Sequence, residues 1–158
     1  MKFEASTNYI ILSNSIDKRL LERFSEYNIV DESLDYSELK EKIENYLQKT
    51  IVFNDNLRKF TRMQRRKLKE LMKIRNVNFI NITSDIEQTL LGDYIYVYDK
   101  DTLVMEGAMD SVLSQEKILK RLGFGLPFVV DLSLQLNYYN VLDKIHYDME
   151  SLVDDLWS

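Results

Sequence analysis

Apolar positions along the chain follow two different periods. Short, almost continuous apolar runs at Tyr9 to Leu12, Thr50 to Phe53 and Val77 to Ile82 predict strands buried on both faces. Between the first two runs, Leu20, Leu21 and Phe24 recur at helical spacing behind Asp17, a suitable N-cap, and predict a helix to about Tyr27. Ser37, Glu38, Leu39, Ile43, Tyr46 and Leu47 predict a second helix that stops before Thr50. Thr61 is placed to cap a third, with Met63, Leu68, Leu71 and Met72 on its apolar side and Arg62, Arg65, Arg66, Lys67 and Lys69 on its solvated side.

The later pattern is shorter in wavelength. Asp85 opens a short helix to about Leu91, Gly92 stops it, and Tyr94 to Tyr98 alternates as a strand. Asp99-Lys100-Asp101 is a turn, Leu103 to Glu106 pairs back as a hairpin strand, Gly107 ends it, and Asp110 to Leu122 is helical in one or two pieces. Gly123 to Pro127 is the one cluster of Gly and Pro. It divides the chain into a body over 1–122 and a helical extension over 123–158.

The chain has 158 residues, 45% hydrophobic and 30% charged, which suits one ordinary domain with its own core. It contains no cysteine and a single histidine, His146, which removes thiol chemistry, cysteine-ligated metals and histidine-centred triads from consideration. His146 is expected as a surface residue near Asp143 and Asp148. No apolar run approaches the roughly 20 residues that span a bilayer, and Met1 to Asn14 lacks the form of a secretory signal, so a cytoplasmic protein is expected.

Local motifs carry a family resemblance. Thr50-Ile51-Val52-Phe53-Asn54-Asp55 resembles a Walker B strand, and Ile80-Asn81-Ile82-Thr83-Ser84-Asp85-Ile86-Glu87 resembles a switch strand. Leu91 to Val97 and the hairpin ending Val104-Met105-Glu106-Gly107 follow in the same order. The stretch Leu119 to Ser133 and the close Met149 to Trp157 are similar to the C-terminal extension of the ATP-binding subunits of energy-coupling-factor, or cobalt-type, transporters. The resemblance implies an α/β fold comprising the later half of an ABC ATPase-like sheet flanked by helices, with a helical C-terminal extension. Leu20 to Leu39 would be a shortened relic of the helical subdomain. Strands missing from such a half-sheet would leave an exposed edge, and a dimer is expected.

Departures from the family pattern determine the functional expectation. All four glycines, Gly92, Gly107, Gly123 and Gly125, lie in the second half, so nothing earlier can form a glycine-rich phosphate loop. Tyr36-Ser37-Glu38-Leu39 is at best a stump of the signature loop. Asn54 replaces the magnesium-organising Asp, Asp55 replaces the general-base Glu, and Ser84 replaces the switch His. Phosphoryl transfer depends on those positions. The resemblance therefore implies a pseudo-ATPase that uses no cofactor and acts through interaction with an intact ATPase subunit or with itself. It would be peripheral at most to the inner face of a membrane.

The candidate interface on the extension comprises Leu126, Pro127, Phe128, Tyr138, Tyr139 and Trp157. Two other readings compete. The span Arg58 to Arg75 carries nine basic residues against one acidic, Glu70, and is a possible nucleic-acid footprint, although a solvated helix face explains it more simply. Asp55, Ser84 and Asp85 would carry any other chemistry, against the simpler view of a polar strand end and a helix N-cap.

Overall fold

A computed structural model describes residues 1–30 and 33–158. The strands are β1 (Tyr9–Ser13), β2 (Ile29–Val30), β3 (Thr50–Asn54), β4 (Asn78–Thr83), β5 (Tyr94–Asp99) and β6 (Thr102–Ala108). The helices are α1 (Lys18–Glu22), α2 (Tyr36–Glu44), α3 (Arg62–Ile74), α4 (Met109–Leu113), α5 (Glu116–Arg121), α6 (Phe128–Tyr138) and α7 (Met149–Trp157), with 3-10 turns at Asn56–Lys59 and Ile86–Leu91. Among the described residues the strands form one sheet in the order β2-β3-β4-β1-β5-β6, parallel except for the β5-β6 hairpin. This is the expected α/β architecture, and no described helix is long and apolar enough to cross a membrane.

β1 lies at the centre of the sheet, pairing with β4 through Tyr9 to Leu12 and with β5 through Tyr9 to Ser13. Ile10 and Leu12 point into one core and Tyr9 and Ile11 into the other, which explains the unbroken apolar run. The sheet edges are the two-residue β2 and the hairpin strand β6.

The two faces are covered unequally. Leu20 and Phe24, on and after α1, pack over Ile80, Ile82, Tyr96 and Tyr98 on one face. The other face carries the larger core, with Leu39 and Ile43 of α2, Leu68 and Met72 of α3, and Val129, Val130, Leu142 and Leu152 of the C-terminal segment. The chain leaving β1 passes along the first face to β2, whereas the chain leaving β4 crosses the second face to β5. These opposed crossovers make a topological switch point at the carboxyl ends of β1 and β4, the usual place for a crevice in an open α/β sheet.

Several boundaries differ from expectation for local reasons. The α1 helix stops at Glu22, and the segment to Tyr27 continues as tight turns, with Phe24 N–H bonded to the Leu21 carbonyl at 3.0 Å and Tyr27 N–H to the Phe24 carbonyl at 2.9 Å. Tightening the coil there still buries Phe24. Leu47 lies beyond α2 and is 95% exposed, and Met63 is exposed rather than on the apolar side of α3. Gly107 does not end β6 but sits within it opposite Ile95. The cap of α3 is a full capping box between Thr61 and Gln64. At the end of α5, Gly123 at φ +89° allows a Schellman closure: its N–H bonds the Lys120 carbonyl at 3.0 Å and Phe124 N–H bonds Leu119 at 2.9 Å.

Candidate functional site

The ends of β3 and β4 bring Asn54, Asp55, Ser84 and Asp85 together. Asp55 adopts φ +54°, a left-handed conformation that Asp tolerates better than most residues, and its N–H bonds the Ile82 carbonyl at 2.7 Å. Its carboxylate is engaged at both oxygens: one accepts from the buried Thr83 hydroxyl at 2.7 Å, the other from Arg58 Nε at 3.1 Å. The same guanidinium donates to the Ser84 hydroxyl. Arg58 therefore bridges the two polar strand ends as a built-in counter-ion.

The neighbouring groups are equally committed. Asp85 caps the following 3-10 turn through Glu87 N–H at 3.1 Å, as expected for an N-cap, and its second oxygen accepts from Gln88 Nε2 at 3.2 Å. Asn56 Oδ1 accepts from Asn54 N–H at 2.6 Å while its amide reaches the Val30 carbonyl at 3.3 Å, tying β3 to β2. Beneath this layer Asn81 donates to Gln88 at 2.9 Å, both fully buried. The sequence marks Arg58 only as the start of the basic span and Thr83 only as part of the switch-like strand, and their role as partners of Asp55 leaves no local signal, since a basic residue after a strand and a Thr within one are ordinary there. The polar Asn81 inside the apolar run Phe79 to Ile82 was the visible signal of a buried polar layer.

The turn from β1 into α1 forms the other wall of the crevice. An open cavity of about 690 Å³ separates Ile16, Asp17 and Lys18 from Asn54, Asp55 and Arg58. The wall suits a nucleotide phosphate poorly. Asn14 is tied to the β5-β6 turn, donating to Asp99 at 2.7 Å and accepting from Lys100 N–H at 2.8 Å. The Asp17 carboxylate caps α1 by accepting from Leu20 N–H at 3.0 Å, so negative charge already occupies the position where an anion would meet the helix. Among the described residues no three Asp, Glu or His side chains converge in a metal-holding group.

The basic span is extensively ion-paired. Arg58 pairs with Asp55, Arg62 with Glu87 at 3.8 Å, Arg65 with Asp85 at 3.5 Å, and Arg66 with Glu150 at 2.8 Å. Arg65, expected on the solvated face of α3, is only 15% exposed at its side chain. Its guanidinium is turned toward Asp85.

The six candidate interface residues fall into two groups. Pro127 is buried and Leu126 half-buried, whereas Phe128, Tyr138, Tyr139 and Trp157 are exposed by 58%, 79%, 73% and 86%. On α7 only Leu152 is buried, and the apolar stripe it shares with Val153 and Leu156 is otherwise open to solvent. His146 is not a free surface residue: its side chain is 11% exposed and its Nε2 lies 2.8 Å from Asp155 on α7, rather than pairing with Asp143 or Asp148. The reason is local, for His146 N–H bonds the buried Ser133 hydroxyl at 3.0 Å and draws the loop onto α6.

No protein-family model matches the chain. Sequence similarity leads to ATP-binding subunits of energy-coupling-factor transporters. The energy-coupling factor transporter ATP-binding protein EcfA1 of Lactobacillus delbrueckii subsp. bulgaricus is 34% identical over 94 residues, covering 58% of this chain and 32% of that protein. EcfA1 of Mycoplasmoides gallisepticum is 28% identical over 92 residues, 56% of this chain and 32% of that protein. The chain thus spans about a third of the length of these curated relatives, 32% in each case. Among solved structures, cbiO1 from Clostridium perfringens, part of the ABC transporter complex cbiONQ, superposes with a TM-score of 0.50 over 78% of this chain and 85% of that one, at 10% identity. The chain is similar over part of its length to these ATP-binding subunits, and its sheet has the ABC ATPase-like fold.

Proposed function

We propose that this chain, related to the energy-coupling-factor ATP-binding subunits, is a non-hydrolysing pseudo-ATPase that acts by docking onto an intact ATP-binding subunit or onto a second copy of itself. The observation that carries the reading is the Arg58 bridge between Asp55 and Ser84. A magnesium ion or an attacking water at the β3 end would need the Asp55 oxygen that the guanidinium holds, and phosphoryl transfer depends on charge placed at that point. The glycine-free turn with the Asp17 carboxylate supports the same conclusion from the opposite wall.

The C-terminal segment, 123–158, is the proposed docking element. Exposed aromatic side chains on α6 and α7, together with the uncovered stripe of α7, provide the apolar anchors that protein interfaces favour. Through such a partner the protein would lie at the inner face of a membrane. The nucleic-acid reading draws little support from the structure, because Arg58, Arg62, Arg65 and Arg66 are all paired with carboxylates. Catalysis of another kind around Asp55 and Ser84 is disfavoured for the same reason: both side chains already have partners.

Light scattering at about 100 µM, where a self-complex of micromolar Kd would be largely formed, tests the docking role alongside co-purification with an intact EcfA1-type subunit. Association that is lost when Phe128 and Trp157 are replaced by Ala is expected. A strict monomer that captures no ATP-binding subunit would overturn the proposal.

A further inference from the structure

The amino ends of the strands carry a second opening, on the opposite side of the sheet from the strand-end crevice. A cleft of about 840 Å³ runs beneath the starts of β3, β4 and β1, at Thr50, Asn78 and Tyr9, and three lysines line it, Lys49, Lys69 and Lys73. Lys69 and Lys73 lie one turn apart on α3. Asn76, at φ +56°, closes that helix with its N–H on the Lys73 carbonyl at 3.1 Å, and two residues later Asn78 N–H bonds the Lys49 carbonyl at 2.9 Å. Backbone bonds thus bring Lys49 beside the end of the helix that bears the other two.

Charge separates this cleft from the rest of α3. Arg62, Arg65 and Arg66 are each paired with a carboxylate, whereas among the described residues none of the three lysines forms an ion pair or donates a side-chain hydrogen bond. Glu4 and Asp93 are the acidic residues of the lining, and one Asp93 oxygen already accepts from Asn8 N–H at 2.9 Å. Lys49 and Lys73 are exposed, but Lys69 is half-buried. Burial holds its pKa below the ordinary lysine value; Asp93 opposes that shift and Lys73 adds to it. Desolvation and a neighbouring cation activate a lysine as a nucleophile, because more of the amine is neutral at a given pH. The two exposed lysines suit another task, holding a phosphate by charge.

We propose that this cleft is a site of covalent acylation, in which Lys69 takes the acyl group of a small acyl phosphate while Lys49 and Lys73 hold the phosphate. The neutral Lys69 Nζ attacks the carbonyl carbon and forms the carbon–nitrogen bond. The bond from that carbon to the phosphate oxygen breaks, inorganic phosphate leaves with the electron pair, and the Nζ proton passes to solvent. The product is an uncharged amide, which ends the repulsion between Lys69 and Lys73. An acyl donor without a phosphate would gain nothing from the two anchors. The inference is independent of the pseudo-ATPase reading, since the cleft shares no residue with Asn54, Asp55, Ser84 and Asp85.

The full chain is treated with acetyl phosphate, and in parallel with acetic anhydride, and acetylation of each lysine is followed by mass spectrometry. Acetyl phosphate is expected to modify Lys69 about tenfold faster than the exposed Lys117 and Lys144, the scale of one charge-assisted contact. Its rate at Lys69 should level off at a lower pH than at those two residues. Lys49→Gln removes an anchor without altering the groups that act on Lys69, so it should slow acetyl phosphate about threefold or more and leave acetic anhydride unchanged. Lys73→Gln should slow both reagents, since it removes an anchor and the like charge together. Acetyl phosphate that modifies Lys69 no faster than Lys117 and Lys144, or a pH profile that coincides with theirs, would overturn the proposal. So would a Lys49→Gln variant that slows neither reagent or slows both equally.

Discussion

Replacing Asp55 with Ala should cost far more stability than removing the arginine that pairs with it. The two residues share one ion pair, at 3.1 Å with side chains 50% and 26% exposed, and such half-exposed pairs contribute about 0.5 to 1 kcal/mol. Arg58→Met also loses the exposed hydrogen bond to the Ser84 hydroxyl, which water can replace. With roughly 2 to 4 °C of melting temperature per kcal/mol for a chain of this size, it should melt about 1 to 4 °C lower. Asp55→Ala loses the pair and also leaves the Thr83 hydroxyl, fully buried, without its acceptor, a further cost of about 1 to 3 kcal/mol. It also places Ala at φ +54°, which adds about 1 kcal/mol. The sum is about 2.5 to 5 kcal/mol, or a fall of roughly 5 to 20 °C. Asp55→Asn, which keeps an acceptor and tolerates the backbone, should fall between. Urea denaturation and circular-dichroism melts of the three variants test this ordering. Equal losses for Asp55→Ala and Arg58→Met would refute the view that Asp55 organises both strand ends.

Further outcomes follow from the same packing. Gly92→Ala would place a Cβ 2.5 Å from Ile10 Cγ1 in the core and should cost about 1 to 3 kcal/mol, whereas Gly107→Ala, with its nearest neighbour at 3.6 Å, should be almost neutral; urea midpoints compare them. Trp157→Ala, at a position 86% exposed, should change stability by no more than about 0.5 kcal/mol while reducing association in light scattering. The Ser151 N–H bond holds the Asp148 pKa below its ordinary value, so the cap on α7 contributes stability above the unfolded-state pKa. That contribution is lost as pH falls through the depressed folded value. Hydrogen exchange should therefore show α7 amides losing protection in that acidic window, and Asp148→Asn should flatten the dependence.

Much of this architecture is legible in local pattern, and the limits are equally physical. Thr61 and Gln64 announce the start of α3 because a capping box is a contact between near neighbours. Asn54, Asp55 and Ser84 could be singled out for the same reason: each ends an apolar run. The central place of β1 could not, because pairing Tyr9 with both Ile80 and Tyr94 is a long-range choice that leaves no trace near Tyr9. Arg65 and Lys69 follow the polar side of an amphipathic helix faithfully. Arg65 is drawn inward by its pair with Asp85, and Lys69 is desolvated near Asp93 just before β5, and a helical pattern carries no information about such distant neighbours. His146 is similar, drawn inward by Ser133 and held by Asp155 across a turn of chain.

Titration calorimetry of the full chain with magnesium-ATP tests the central claim most directly. With Arg58 holding Asp55 and no glycine loop after β1, no saturable heat is predicted across the micromolar range, and none should appear in Arg58→Met. Saturable binding of magnesium-ATP with micromolar affinity would contradict the account.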